Sequence, residues 1–142
     1  TAGTYTVSLT VTDNGGATGT TTQTVNVSSG GTLPECTGGD TRALGKNCQR
    51  SNRSATAGNY DYLYIYIPAG TSQLRITTSG GAGNCDLYYN ASSWATTTAY
   101  THRSANTGNG ETLTITSPPS GYNYISLYAV SACSGVTVKT EY

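Results

Sequence analysis

The 142-residue chain contains no phenylalanine, no methionine, one tryptophan and one histidine. Only 10% of its residues are charged, and the formal net charge is zero. Each scarcity excludes something. Without an excess of clustered Lys and Arg, the chain lacks the electrostatic footprint of a nucleic-acid-binding protein. No apolar run approaches the roughly 20 residues of a membrane-spanning helix, so neither nucleic acid nor membrane is expected as a partner. A signal-peptide segment is absent too, as expected of a mature or excised piece. With His102 alone, no two-histidine metal site can form, and no H-E-x-x-H is present. A Ser–His–Asp set through His102 would lack the G-x-S-x-G elbow that presents a nucleophile. The seven acidic residues are scattered, with no spacing that pairs two as acid and base. The residues therefore point to a non-catalytic domain in which His102, beside Arg103 in a polar stretch, is solvated.

What is present is Thr, Ser, Gly and 12 tyrosines. Thr and Tyr suit a pleated, half-buried surface, and frequent Gly opposes long helices. The fold class expected is all-β, an antiparallel sandwich or jelly roll. The four cysteines, Cys36, Cys48, Cys85 and Cys133, show no C-x-x-C zinc spacing. An even count in such a chain favours disulfides and an oxidising, extracellular compartment. Three connectivities are possible. The pairing expected is Cys36–Cys48, closing a short irregular loop, with Cys85–Cys133 tying two strands together.

Residues 4–11 alternate, with Tyr5, Val7, Leu9 and Val11 on one face, and residues 20–27 alternate again after an Asp13-Asn14-Gly15-Gly16 turn signal. A lone hairpin is marginal in water, so residues 1–29 read as the last two strands of a domain that begins earlier. Ser28 to Thr32 reads as a flexible linker. Residues 30–58 form a linker and an irregular, disulfide-pinned segment. Its basic residues Arg42, Lys46, Arg50 and Arg53 read as a solvated loop. From residue 59 to 142 short strands recur: 60–67, 73–78, 84–89, 111–116, 122–129 and 135–141. The stretch 90–110 reads as a loop anchored by Trp94 and Tyr100.

In the strand 60–67, Leu63, Ile65 and Ile67 share one face, and Tyr62, Tyr64 and Tyr66 the other. Those tyrosines should stand about 7 Å apart along the strand, with Tyr124 and Tyr128 on a neighbouring strand. Tyrosine joins a rigid apolar ring to a hydroxyl at low entropic cost. The five are candidate ligand-binding residues for a flat, extended, proline-rich protein such as collagen. The bland alternative is packing of that face against a second layer.

Five segments occur in the order of a known family. They are Ile67-Pro68-Ala69-Gly70, Leu74 to Gly81, Asp86-Leu87-Tyr88, Gly121-Tyr122-Asn123-Tyr124-Ile125 and Ser134-Gly135-Val136. From about Gly58 onward the chain resembles the bacterial pre-peptidase C-terminal domain, found behind the catalytic parts of secreted proteases. Two positions depart from the family pattern together, Cys85 and Cys133, in keeping with a bridge between them. Asn84 stands where the family often has a second acid. Gly3 to Gly16 resembles the most recognisable segment of a polycystic-kidney-disease (PKD) domain, an immunoglobulin-like sandwich. That order of domains is similar to the tail of secreted bacterial collagenases and metalloproteases. It implies a collagen-binding or substrate-targeting module of a secreted peptidase. Related modules hold calcium with acidic linkers, which makes Glu35 and Asp40 candidate ligands, although calcium takes six to eight oxygens.

Three other functions fit the same residues. The hairpin edges could pair between copies into oligomers or fibres. Tyr and Trp94 could stack on carbohydrate. The domain could be a removable C-terminal secretion tail. The cysteine reading has its own check: denatured, unreduced protein should show no thiol reactive to a colorimetric reagent. Four titratable thiols would overturn the disulfide assignment.

Overall fold

The computed structural model describes residues 3–27 and 32–142. The chain divides into two compact units, 1–32 and 33–142. Of the linker expected at Ser28 to Thr32, residues 28–31 lie outside the described residues. The first unit is a hairpin of β1 (Gly3–Thr12) and β2 (Thr18–Val27), paired antiparallel from Gly3 opposite Val27 to Thr12 opposite Thr18. Asp13 closes its turn: its carboxylate accepts from the backbone N–H of Gly15 at 2.8 Å and of Ala17 at 2.9 Å. One face carries Tyr5, Val7, Leu9, Val11 and Val25, all exposed. The opposite face is built of Thr and Ser, with Thr10 bonded to Thr20 across the strands at 3.0 Å.

The second unit is all-β. Its strands are β3 (Ala43–Leu44), β4 (Cys48–Ala55), β5 (Tyr60–Ile67), β6 (Gln73–Ser79), β7 (Ala82–Asn90), β8 (His102–Ser104), β9 (Thr112–Thr116) and β10 (Gly121–Glu141). Every pairing is antiparallel except the short one of β3 with β5. Strand β10 organises the domain. Its first half runs between β5 and β7, and its second half pairs with β4 and β6. The order is β3-β5-β10-β6-β9, with β4 and β7 also on β10 and β8 on β7. Inward residues of both halves meet in one core: Leu63, Ile65, Leu87 and Leu127 with Leu74, Ile76, Val136 and Val138, all at zero exposure. Burying such side chains stabilises the fold by roughly 1.5–3 kcal/mol each.

β10 changes partners through register shifts between Ala129 and Val138. A bulge leaves extra residues on one strand and bends it. The strand opposite must yield space, and β7 does so with glycine. A Cβ on Gly83 would lie 1.9 Å from the Ala132 carbonyl oxygen, and one on Gly81 2.2 Å from that of Ser134. Both have positive φ, +88° and +71°. Buried Asn109 fastens the β6–β7 turn by donating to the Gly80 and Ala82 carbonyls at 3.1 Å and accepting from the Cys85 N–H at 2.9 Å. The Cys85–Cys133 bridge joins β7 to β10 across the bulge, and Cys36–Cys48 closes the shorter loop. Both are the pairings expected, and the described chain has no free cysteine.

Three expectations change. Residues 48–55, read as irregular, form the strand β4. Cys-Gln-Arg-Ser-Asn-Arg-Ser-Ala carries no apolar alternation, and its extended form comes from pairing with β10 rather than from its own pattern. The strands expected at 122–129 and 135–141 are one continuous element, because Ser134-Gly135 marks a bulge and not a turn. The loop 90–110 includes the three-residue β8.

Gly83→Ala should cost more stability than Gly58→Ala in urea denaturation. Gly58 also has positive φ but has open space around its Cβ position, so it carries only the conformational penalty of about 1–2 kcal/mol. Equal costs at the two positions would show that the bulge contact does not constrain β7.

Candidate functional site

Alternation along β5 sends Tyr60, Tyr62, Tyr64 and Tyr66 to the side opposite the core. In β10 the same rule sends out Tyr122, Tyr124, Ser126 and Tyr128. The register sets Tyr66 opposite Tyr122, Tyr64 opposite Tyr124, Tyr62 opposite Ser126 and Tyr60 opposite Tyr128. Tyr88 of β7 lies across from Ser126 on the other side. Two neighbouring strands thus build one aromatic array. Tyr66 and Tyr122 rings are 5.3 Å apart, Tyr122 and Tyr64 5.8 Å, and Tyr60 and Tyr128 5.0 Å.

A loop crosses this array. Asn90 shapes it, accepting from the Ser92 N–H at 3.0 Å and donating to the Ala99 carbonyl at 3.2 Å. Ser126 is the seat. Its small side chain leaves room for fully buried Ala95, and its hydroxyl donates to the Ala95 carbonyl at 2.8 Å. The Tyr60 hydroxyl accepts from the Thr97 N–H at 3.0 Å. Trp94 lands on Tyr124 at 4.9 Å, Tyr62 at 5.4 Å and Tyr64 at 6.5 Å.

The loop splits the array into a covered and an open part. Of the five tyrosines singled out from the sequence, Tyr66 is exposed at 57%, whereas Tyr62, Tyr64, Tyr124 and Tyr128 are half-buried. Tyr62 and Tyr128 pack within the array, against Tyr60 and, for Tyr62, Trp94. One surface aromatic was missed as a binding candidate, Tyr122, 59% exposed; Trp94, considered only for carbohydrate, is 41% exposed. Tyr122 shares the alternation of Tyr124, which is a signal in the sequence. Its position opposite Tyr66 depends on strand register and is not. His102 is exposed on β8 as expected. The Arg103 guanidinium lies 5.6 Å from the Tyr100 ring, which packs on buried Tyr88 at 5.4 Å.

The basic segment beside the array is not a solvated loop throughout. Arg50 is buried and donates to three backbone carbonyls, Ala43 at 2.9 Å, Asp40 at 3.0 Å and Thr37 at 3.3 Å. Arg53 forms a two-pronged ion pair with Asp61, at 2.7 and 2.5 Å, and donates to the Thr41 carbonyl at 3.0 Å. A buried guanidinium is tolerable only with its donors filled, and residues 37–43 supply the acceptors. That loop sets Asp40 beside Tyr64, whose hydroxyl donates to the carboxylate at 2.9 Å.

The residues expected to hold calcium have other occupations. The Glu35 carboxylate accepts from the Ser51 N–H at 3.1 Å and from the Ser51 hydroxyl. Asp40 is held by Arg42 and Tyr64, and the nearby carbonyls by Arg50 and Arg53. Among the described residues no three of His, Cys, Asp and Glu gather as a metal site would require. Guanidinium groups, rather than a metal ion, satisfy the Asp40 carboxylate and the carbonyls around it.

Hydrogen bonds from the Arg42 side chain, the Arg42 backbone N–H and the Tyr64 hydroxyl lower the Asp40 pKa from 3.8 to about 2. The same Asp40 bond is the main cause that raises Tyr64 above its ordinary value, while burial is the main cause for Tyr62. Burial alone pushes Tyr89, whose hydroxyl donates to buried Asn123, to about 12. Because the folded pKa of Asp40 lies below the unfolded one, the pair's contribution is complete above pH 3.8 and is lost as pH falls through about 2. An NMR titration of the Asp40 carboxyl should give that lowered midpoint. A midpoint at 3.8 would show that the Asp40–Arg42–Tyr64 contact does not form in solution.

Comparison with known proteins gives this geometry a context. The chain is 35% identical over 128 residues to a microbial collagenase of Vibrio alginolyticus, covering 87% of this chain and 16% of that protein. It is 42% identical over 89 residues to an extracellular protease of Xanthomonas campestris, and 33% identical over 117 residues to a neutral protease of Vibrio proteolyticus. It spans under a fifth of the length of each of these three. The solution structure of vEP C-ter 100 superposes with a TM-score of 0.58 at 28% identity, covering 71% of this chain and 99% of that one. Residues 59–129, half of the chain and all of the aromatic array, match the bacterial pre-peptidase C-terminal domain, and the chain belongs to that family.

Proposed function

We propose that this domain is a non-catalytic targeting module that tethers a secreted bacterial peptidase to an insoluble extracellular protein, collagen being the leading candidate. The observation that carries this reading is the open end of the aromatic array. Tyr66 and Tyr122 expose more than half of their surface while packing edge-to-face on one another. Large aromatic rings left in water on a rigid sheet mark interaction surfaces. Strand pairing, the Asn90 network and the Arg50-braced loop hold them in place before any ligand arrives, which reduces the entropy lost on binding. The kinship with a protein named as a collagenase favours collagen over other insoluble proteins. Two disulfides and a relative named as an extracellular protease support secretion.

The hairpin supports a second reading. Its apolar stripe of Tyr5, Val7, Leu9, Val11 and Val25 is exposed, and β1 and β2 pair only with each other among the described residues. We read it as the last two strands of a PKD-type domain. In the absence of the rest of such a domain, copies could pair through these edges.

Co-sedimentation with insoluble collagen fibres tests the first reading, with light scattering on the unbound protein to test the second. The wild type should sediment as a monomer, and Tyr66→Ala/Tyr122→Ala should lose at least about tenfold in affinity, as expected when two interface anchors are removed. Failure to sediment, with large self-associated species in solution, would replace targeting with strand-mediated assembly.

A further inference from the structure

Asp86 of β7 and Glu111, just ahead of β9, are buried carboxyl groups, 8% and 1% exposed. They are held very differently. The Glu111 carboxylate accepts from the Asn106 N–H at 2.7 Å, from the Asn106 side-chain amide at 2.7 Å and from the Ser104 hydroxyl. Among the described residues no donor reaches the Asp86 carboxylate. The ion pairs there, Arg42–Asp40, Arg53–Asp61 and Arg75–Glu141, do not include it. A buried charge without a partner costs stability.

Segment 105–111, between β8 and β9, is seated on β7 around this pair. The Gly108 N–H donates to the Asn84 side-chain carbonyl at 2.9 Å, and the Asn109 side-chain carbonyl accepts from the Cys85 N–H at 2.9 Å. Ser104, which bonds Glu111, is paired with Leu87. These attachments bracket Asp86, which shares the outward face of β7 with Asn84 and Tyr88. Across the strands, Tyr128 of β10 stands opposite Asp86, and Arg103 of β8 stands opposite Tyr88 and lies over the Tyr100 ring. His102, opposite Tyr89, takes the other face. The charged groups acting on Asp86 are thus Glu111 and Arg103, with the phenols of Tyr88 and Tyr128 beside it and Tyr100 beyond Tyr88.

Burial raises the Asp86 pKa above 3.8, and the charge of Glu111 raises it further, against a lowering by Arg103. Because the folded value lies above the unfolded one, the cost of the charged form is complete above the folded pKa. It is relieved as pH falls through that value towards 3.8. Opening of segment 105–111 rewets both carboxylates, so charge favours the open form and a proton on Asp86 favours the closed one. We propose that Asp86 and Glu111 form a proton-operated latch, in which charge on the donorless Asp86 carboxylate loosens segment 105–111 from β7 at neutral pH and mild acid seats it. The latch stands apart from the targeting reading and from the open aromatic rings.

Amide hydrogen exchange at Asn106 and Gly108 reads the latch, because those N–H groups bond to Glu111 and Asn84. Corrected for the intrinsic pH dependence of exchange, protection of both in the whole chain should rise several-fold between about pH 7 and about pH 4.5. The contribution of Asp40 is constant over that range. Asp86→Asn keeps the shape without the charge. At neutral pH it should show the protection of the acidified wild type and a higher urea midpoint, and its protection should no longer depend on pH. His102→Gln removes the one imidazole of the chain and should leave the wild-type dependence in place. Protection that does not change with pH, a dependence that survives in Asp86→Asn, or one lost in His102→Gln would overturn the latch. Failure of the Asn variant to fold at neutral pH would overturn it too, since a carboxylate that costs stability there cannot be needed for folding.

Discussion

A strand of 21 residues cannot serve two layers unless it bends, and β10 bends where its register slips between Ala129 and Val138. That one element joins β5 and β7 to β4 and β6. Its bend depends on a close approach of backbones, since Gly81 and Gly83 have no Cβ where the Ser134 and Ala132 carbonyls lie. The Cys85–Cys133 bridge and the Asn109 amide hold the same junction from either side. Ile125, Leu127, Val136 and Val138 can occupy one core only because the bulge redirects the strand between them.

The aromatic surface is a by-product of that arrangement. Once β10 lies beside β5, alternation forces tyrosines from both strands onto one face, because their alternate residues are needed in the core. The face would be uniform if every outward residue were aromatic. Ser126 breaks it, and the loop that bonds to Ser126 turns a flat row of rings into a covered half and an open half. Preorganisation of this kind costs the fold some polar burial, in Asn90 and Arg50, and leaves exposed rings held at fixed angles.

Arginine does structural work beside that surface. Arg50 and Arg53 collect carbonyls and a carboxylate from residues 37–43 and Asp61, the kind of oxygens that a divalent cation gathers in other proteins. A guanidinium is tethered to the chain and needs no metal supply. The loop so braced carries Asp40, which orients Tyr64 at the margin of the open rings. The charges beside the array are paired with one another, Arg42 with Asp40 and Arg53 with Asp61.

Much of this was legible in the residues themselves. The period-two pattern of Tyr60 to Ile67 determined both its strand and which side faces the core, since a pleated strand admits no other assignment. Turn residues at Asp13 to Gly16 determined the hairpin, and the strands expected at 60–67, 73–78, 84–89 and 111–116 followed from alternation and glycine and form as Tyr60–Ile67, Gln73–Ser79, Ala82–Asn90 and Thr112–Thr116. Patterning failed where order comes from a partner. β4 has polar residues on both faces and exists because β10 pairs with it, and Arg50 reads as a surface residue until three distant carbonyls converge on it. The site divides the same way. The tyrosines on one strand could be read as a stripe, but the opposition of Tyr66 and Tyr122 is a matter of register, and the landing of Trp94 on Tyr124 depends on a loop bonded 31 residues away. Local sequence sets which way a side chain points. Only tertiary structure decides which rings become neighbours and which remain open to a ligand, because those distances are fixed by hydrogen bonds between segments far apart in the chain.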